Sequence, residues 1–288
     1  MQRDSTKKNN RQYRELGVLI PLGKEERFNR LVNWFAEEED KAIVAFSGGV
    51  DSAVVALAAK KALGNNAIAA TADYATLSKE ELESASNLAS EIDINHIIIR
   101  YNELANDNFT RNDNLRCFYC RTELAVHLAT EAANRNIALI ADGTHLDDLR
   151  DYRPGIKAMR DYGIRSPLVE LGMSKLDVRT IAKFYGLSVF NKPSNSCLAS
   201  RIPHGISVTE ERLRRIEMSE LVIKSIFPIR KVRVRDHSDL ARIEVEPSEI
   251  PKLFKGQKLE LLNSKLKGLG FKYVTIDLHG YKGNDFLL

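Results

Sequence analysis

Three cysteines in 288 residues are too few, and odd in number, for a disulfide framework. They leave metal binding, catalysis or burial as small hydrophobes. No stretch approaches the roughly 18 to 20 apolar residues that a membrane span needs, and the start, MQRDSTKKNNRQYRELG, has no apolar signal core. The expectation is a cytoplasmic protein without a membrane partner. Internal repeats and low-complexity segments are also missing, which argues against a repeat architecture. An aromatic RNA platform and added zinc fingers are lacking too, so nucleic acid is not the expected partner. The net charge of +4 is a mild bias toward nucleotides and other anions.

What is present suffices for one large domain or two modest ones, since 43% of the residues are hydrophobic and 28% charged. Residues 1–20 read as a flexible arm, free or packed on another subunit. Phe28, Leu31, Val32 and Phe35 then recur at helical spacing before a buried-strand pattern at 41–46. Further apolar strands are expected at 67–73, 95–100 and 137–143, with helical patterns between them and Gly64 closing one helix. Short strands alternating with helices predict an α/β fold, a doubly wound parallel sheet. After about residue 200 the pattern changes. Thr209 caps a helix, IRKVRVRDHSDLARIEV reads as a hairpin turning at DHSD, and a helix and strand follow. The expected division is 21–204 for the nucleotide-type domain and 205–288 for a smaller α+β domain that binds substrate or joins subunits.

Between the first strand and its helix stands SGGVDS: Ser47, Gly48, Gly49, Val50, Asp51 and Ser52. An open α/β sheet binds ligands at this carboxyl edge. Two glycines let backbone approach an anion, the helix start offers unpaired N–H groups and a positive dipole end, and two serines add hydroxyl donors. No lysine follows the glycines, so the loop is not of the GxxxxGK[ST] type. SGGxDS resembles instead the PP-loop of ATP pyrophosphatases. That resemblance assigns Ser47, Gly48, Gly49, Asp51 and Ser52 to ATP, and the chemistry it implies is adenylation, which converts a poor oxygen leaving group into AMP. ADGTHLDDLRDYRPG leaves the fourth strand at the same edge, so Asp142, Gly143 and Thr144 should border the nucleotide. Asp147, Asp148 and Asp151 are candidate Mg²⁺ ligands or a solvated acidic loop.

Cys117 and Cys120 form a CxxC just before an expected helix, and Cys197 lies far downstream. A redox pair, a structural zinc with His145 or His204 as the fourth ligand, and a sulfur-handling site all remain open. Three thiolates on a [4Fe-4S] cluster would leave one iron free to carry hydrosulfide. Alternatively Cys197 attacks and surrenders its own sulfur.

FSGGVDS, DGTHLDDLRDYRPG, SPLVELGMSKLDVRTIA, KPSNSCLASRIPHG, VRVRDHSDLARIEV and KYVTIDLHGYKGNDF together resemble the LarE family of ATP-dependent sulfur transferases, from about residue 20 onward. The resemblance implies a small-molecule substrate, pyridinium-3,5-biscarboxylic acid mononucleotide, whose carboxylates are adenylated and become thiocarboxylates for the nickel-pincer nucleotide. It implies ATP and Mg²⁺, a sulfide source and a homo-oligomer. The cysteine of CLASR, here Cys197, donates its sulfur in sacrificial members. Members with an added CxxC use three cysteines and a [4Fe-4S] cluster, which this chain matches with Cys117, Cys120 and Cys197. Arg233 and Arg235, two apart on one strand and so on one face, take the substrate phosphate by the same resemblance. Arg201, four residues after Cys197, is expected near that thiol, whereas Arg212, Arg214 and Arg215 read as an exposed helix face without a role. Rival readings are a tRNA thiolase, an amide-forming enzyme of the NAD or GMP synthetase type, and a zinc-stabilised nucleotide-binding regulator.

Overall fold

The computed structural model describes residues 23–150, 154–193, 196–254 and 258–281. The expected arm at 1–20 and Asp151 lie outside them. Helix α1 (Lys24–Glu38) turns Phe28, Leu31 and Phe35 inward, the i, i+3, i+7 stripe of an amphipathic helix. It leads into β1 (Ala42–Ala45), followed by α2 (Val50–Leu63), β2 (Ala67–Asp73), α3 (Lys79–Ile92), β3 (Asn95–Arg100), α4 (Arg116–Asn134) and β4 (Leu139–Ala141). The four strands are all parallel in the order β3-β2-β1-β4. Helices α5 (Pro154–Asp161) and α6 (Lys175–Phe184) complete this half.

Strand alternation explains the two layers. Ala42, Val44, Ala67 and Ala69 point into a core with α1, α2, α3 and α6, while Ile43 and Ala70 point the other way, onto Leu124, Ala125, Leu128 and Ala132 of α4 and Met159 of α5. Because β1 pairs with β2 on one side and with β4 on the other, the chain reverses direction across the sheet at β1. The crevice beyond the carboxyl ends of β1 and β4 is therefore the switch point where such sheets bind ligands. Gly64 closes α2 as expected, with φ 59° and its N–H donating to the Lys60 carbonyl. Strand β4 is shorter than the expected 137–143. Ile137 donates back to the Ala132 carbonyl at the end of α4, and at the far end of the strand Ala141 makes a single parallel bridge to Arg165, with the Asp142 N–H donating to the Arg165 carbonyl.

The smaller half begins at α7 (Glu210–Ile226), whose first turn is capped by the Thr209 hydroxyl accepting from the Arg212 N–H. The expected hairpin is present: β5 (Val232–His237) pairs antiparallel with β6 (Leu240–Val245) around Ser238, which has φ 64°. Strand β7 (Tyr273–Ile276) joins β6 in parallel, and α8 (Lys258–Gly268) packs Leu262 and Leu266 on the sheet. Arg212 and Arg215 are not an idle surface. Both reach Asp236, which is fully buried, at 2.8 Å for Arg212 and 2.6 and 2.5 Å for Arg215. A carboxylate in that position needs its partners, since removing one from a buried pair costs about 3–5 kcal/mol.

Between the halves lies a cluster of Phe109, Leu198, Ala199, Ile202, Val208, Leu213 and Ile216, with Cys120 and Cys197 against it. The expected boundary at 204/205 falls in the sequence between Ile202 and Val208, both members of this cluster, and α7 supplies Leu213 and Ile216 here but Ile223 to the C-terminal core. Among the described residues no helix is long and apolar enough to cross a membrane.

Candidate active site

The 47–52 loop is held by its own six residues. Ser52 Oγ accepts from the Ser47 N–H at 3.2 Å, donates to the Gly49 carbonyl at 3.1 Å and lies 3.2 Å from Ser47 Oγ. Gly48 has φ 68°, and a Cβ there would stand 2.8 Å from the Ala85 Cα of α3. Only glycine fits both the left-handed backbone and that contact. Gly49 caps α2 without a side-chain bond, so the first N–H groups of a long helix point outward with the positive end of its dipole. Such an end binds phosphate readily.

Gly143, after β4, presses on this loop. A Cβ at Gly143 would lie 2.7 Å from the Ser52 amide nitrogen and 3.0 Å from the Asp51 carbonyl carbon. Asp142 is buried and spent on structure, accepting from the Thr144 N–H, the Thr144 hydroxyl and the Ser166 hydroxyl at 3.0, 2.9 and 2.8 Å. Two lysines that sequence reasoning passed over flank the loop. Lys175 Nζ meets both carboxylate oxygens of Asp51 at 2.7 and 2.5 Å, and its N–H donates to Asp147 at 2.7 Å. Lys192 Nζ donates to Glu81 and Ser84 at 2.9 Å each and comes within 3.4 Å of the Gly48 carbonyl. A local signal for Lys175 existed. Ser174 and Asp177 form a capping box, which sets residue 175 at the start of a helix beside the loop.

His145 is buried among three carboxylates, with Nε2 3.9 Å from Asp51 and 3.5 Å from Asp148, and Nδ1 4.0 Å from Asp147. These carboxylates line the crevice beside the 47–52 loop without converging on a single point. His145 is therefore placed at the nucleotide crevice, and His204 faces the Asn112 carbonyl at 3.2 Å.

The thiols occupy the neighbouring part of the same edge. The CxxC does not precede its helix: it lies inside the first turns of α4, so Cys117 and Cys120 share one helical face. Cys197 is the N-cap residue of the 3₁₀ turn Leu198–Arg201. Long-range bonds clamp these two segments together. Arg116 Nη1 donates to Asn112 Oδ1 at 2.6 Å and to the Ala199 carbonyl at 2.9 Å. Asn112 Nδ2 donates to the Pro203 and Ile206 carbonyls at 2.8 and 2.7 Å. On the other side the Leu198 N–H donates to the Thr76 carbonyl at 2.9 Å, while buried Glu103 accepts from the Ala75 and Thr76 N–H groups at 3.1 and 2.8 Å. Asn112, Arg116 and Glu103 carried no motif by which the sequence could reveal them.

Burial first, then the proximity of Cys197, pushes the Cys120 thiol up to about 12. Tyr74, stacked on Tyr101 at 5.5 Å, is pushed upward by burial and then by Cys120. Among the described residues no three His, Cys, Asp or Glu side chains converge on one metal ion. A tetrahedral zinc needs such convergence. Cys120 and Cys197 lie against one apolar cluster and Cys117 is on the same helix as Cys120, and thiols are the donors that iron–sulfur clusters take.

Arg233 and Arg235 do share one face of β5, opposite the core face of Val232 and Val234. Arg235 donates to Glu244 at 2.9 Å and to the Ser200 carbonyl at 2.7 Å, which puts it directly behind the Cys197 turn. Arg233 is buried with Nη1 4.0 Å from Glu220, and burial, then Arg201, lowers its pKa. Arg201 differs from expectation. Its guanidinium pairs with Glu220 at 3.0 Å and donates to the Ser196 carbonyl and, at 2.9 Å, to the Cys197 carbonyl. It supports the backbone of the turn, because Glu220 and these carbonyls take up its donors.

Known proteins resemble this chain in sequence and in fold. The sequence model of the family described as Queuosine biosynthesis protein QueC matches residues 41–141, which include the loop, the CxxC and β4. A protein of Synechocystis sp. without an assigned function is 43% identical over 258 residues, 90% of this chain and 96% of that one. The Pyridinium-3,5-bisthiocarboxylic acid mononucleotide synthase of Lactiplantibacillus plantarum is 35% identical over 244 residues, 84% of this chain and 87% of that one. A Methanocaldococcus jannaschii protein, also without an assigned function, is 30% identical over 242 residues, 84% of this chain and 91% of that one. Among solved structures, an NMN synthetase from Francisella tularensis superposes with a TM-score of 0.51 at 19% identity, covering 60% of this chain and 76% of that one. That likeness concerns the fold.

Proposed function

The chain belongs to the LarE family, that of the Pyridinium-3,5-bisthiocarboxylic acid mononucleotide synthase, and is an ATP-dependent transferase; from that premise we propose that it adenylates the carboxylates of pyridinium-3,5-biscarboxylic acid mononucleotide and replaces an oxygen of each by sulfur. The observation that carries this reading is the adjacency of two facilities at one sheet edge: an uncapped helix start behind Ser47, Gly48, Gly49, Asp51 and Ser52, and thiols from two clamped segments.

In this reading the 47–52 loop and the α2 N-terminus hold the ATP phosphates, and Gly143 lets the loop stay closed against β4. Asp51, Asp147 and Asp148 would hold magnesium, which when bound neutralises phosphate charge. Lys175, now paired with Asp51, is then free to turn to a phosphate oxygen. The substrate carboxylate attacks the α-phosphorus and pyrophosphate leaves with the bonding electrons. Sulfur then adds to the acyl carbon and AMP departs from it. Arg233 and Arg235 would steer the substrate phosphate to the face behind Cys197, by exchanging part of their present bonds for charge-assisted ones. Cys117, Cys120 and Cys197 would hold a [4Fe-4S] cluster, which when bound supplies an iron without a protein thiolate as the sulfur carrier.

Anaerobically purified protein tests the cluster. It should be brown and contain iron and acid-labile sulfide, and Cys117→Ala should lose both colour and sulfur transfer. Zinc in place of iron, or a Cys117→Ala variant with colour and transfer intact, would defeat it. Pyrophosphate release stimulated by tRNA and not by the pyridinium mononucleotide would point to a different substrate.

A further inference from the structure

The inner stripe of α4 carries Leu124, Ala125, Leu128 and Ala132, which pack on the sheet. Continued toward the start of the helix at the same three- and four-residue spacing, that stripe reaches Arg121 and then Cys117, with Cys120 beside them. Beyond the sheet edge the apolar stripe therefore becomes cationic and thiol-bearing. Arg121 is solvent-accessible and has Tyr74, Cys120, Asp142 and Cys117 as its electrostatic neighbours. Among the described residues it has no hydrogen-bond or ion-pair partner. Arg201, Arg212, Arg215 and Arg235, by contrast, are all engaged with carboxylates.

Its stem is fixed as well. Gly155 of α5 lies so close that a Cβ there would stand 2.7 Å from Arg121 Cγ and 3.3 Å from the Cys117 carbonyl oxygen. Contact between the two helices thus confines the base of the side chain. One of its electrostatic neighbours, Asp142, precedes the glycine that packs on the 47–52 loop, and the others include the thiols. A planar fork of N–H donors in that position suits a carboxylate.

We infer that Arg121 binds the reacting carboxylate of the substrate and holds it between the 47–52 loop and the thiols. This rests on the function proposed above. In the adenylation step one carboxylate oxygen forms a bond to the α-phosphorus while the bond from that phosphorus to pyrophosphate breaks, with no change of oxidation state. Arg121 keeps its hydrogen bond to the other oxygen, which remains the carbonyl oxygen when sulfur arrives. It is a substrate-binding residue whose signature falls on the mononucleotide and not on ATP.

The test is pyrophosphate release with MgATP and pyridinium-3,5-biscarboxylic acid mononucleotide, measured for the wild type, Arg121→Ala, Arg121→Gln and Arg121→Lys. Loss of a charge-assisted hydrogen bond predicts that Arg121→Ala raises KM for the mononucleotide about 30-fold, with KM for ATP within about twofold of wild type. Arg121→Lys should recover about fivefold of that loss relative to Arg121→Gln, because charge survives without the fork. Added guanidinium should restore Arg121→Ala in part. If wild-type release does not depend on the mononucleotide, the proposed function fails and this inference fails with it. If wild type responds and Arg121→Ala keeps its KM, the inference alone is overturned. Should Arg121→Ala not fold, equal KM values for the Lys and Gln variants overturn it.

Discussion

The 47–52 loop and the thiol face lie side by side at one sheet edge, but they are built on opposite plans. Bonds within six consecutive residues shape the loop, and two glycines tolerate no side chain against α3 and β4. The thiol face has no such local scaffold. Its clamps join residues 83 positions apart, as in Arg116 to Ala199, or 94 positions apart, as in Asn112 to Ile206. A site of the first kind fails when its own residues change, whereas one of the second kind fails when a distant bond is cut. Nucleotide chemistry and sulfur chemistry should accordingly be separable by mutation.

The largest effect is expected at the loop. Gly143→Ala drives a methyl group into the backbone of Asp51 and Ser52. Displacing such a loop by a fraction of an ångström should lower pyrophosphate release at least about 100-fold, and sulfur transfer with it. A variant with normal release would show that the loop is not rigid. A middle-sized effect belongs to the clamp. Arg116→Ala strands the buried side chain of Asn112 and the Ala199 carbonyl, so chemical denaturation should show about 2 kcal/mol of lost stability. Sulfur transfer should fall about tenfold while mononucleotide-dependent pyrophosphate release stays within about twofold. Equal loss of both would erase the distinction between the two regions.

The smallest effect lies away from both. Arg165 holds the carboxyls of Glu38 and Glu170 below the ordinary carboxylate range, through hydrogen bonds at 2.6 to 3.0 Å. For acids with lowered pKa values the sign is fixed: the stabilisation is present above the ordinary carboxylate pKa and is lost as pH falls through the lowered values. Arg165→Gln should lower the melting temperature by about 2 °C at neutral pH and converge on wild type as acid protonates both carboxylates below their lowered values. Neither activity should change. A difference that persisted undiminished in acid would mean that the arginine stabilises through its contact with Trp34, 4.8 Å away, and not through its charge pairs.

The same division governs what the sequence could reveal. The 47–52 loop, the Gly64 cap, the Thr209 cap and the β5–β6 hairpin are encoded by neighbouring residues, and each was legible. The start of α4 was not, because RCFYC holds cysteines and aromatics of middling helix propensity and its first turn is set by bonds to Asp113 upstream. Roles for Arg201, Arg212 and Arg215 escaped for a related reason. Their carboxylate partners, Glu220 and Asp236, are 19 to 24 positions away and become neighbours only when α7 meets β5. Lys175 and Lys192 reach the loop across 124 and 144 positions.

One measurement bears on the central claim most directly. Anaerobically prepared protein is supplied with the pyridinium mononucleotide, MgATP and sulfide, and then AMP, pyrophosphate and thiocarboxylate are counted alongside the mass of the peptide that carries Cys197. The account predicts repeated turnovers, with AMP and pyrophosphate formed in step with thiocarboxylate and residue 197 unaltered. A single turnover that leaves dehydroalanine at residue 197, or AMP formation indifferent to the mononucleotide, would contradict it.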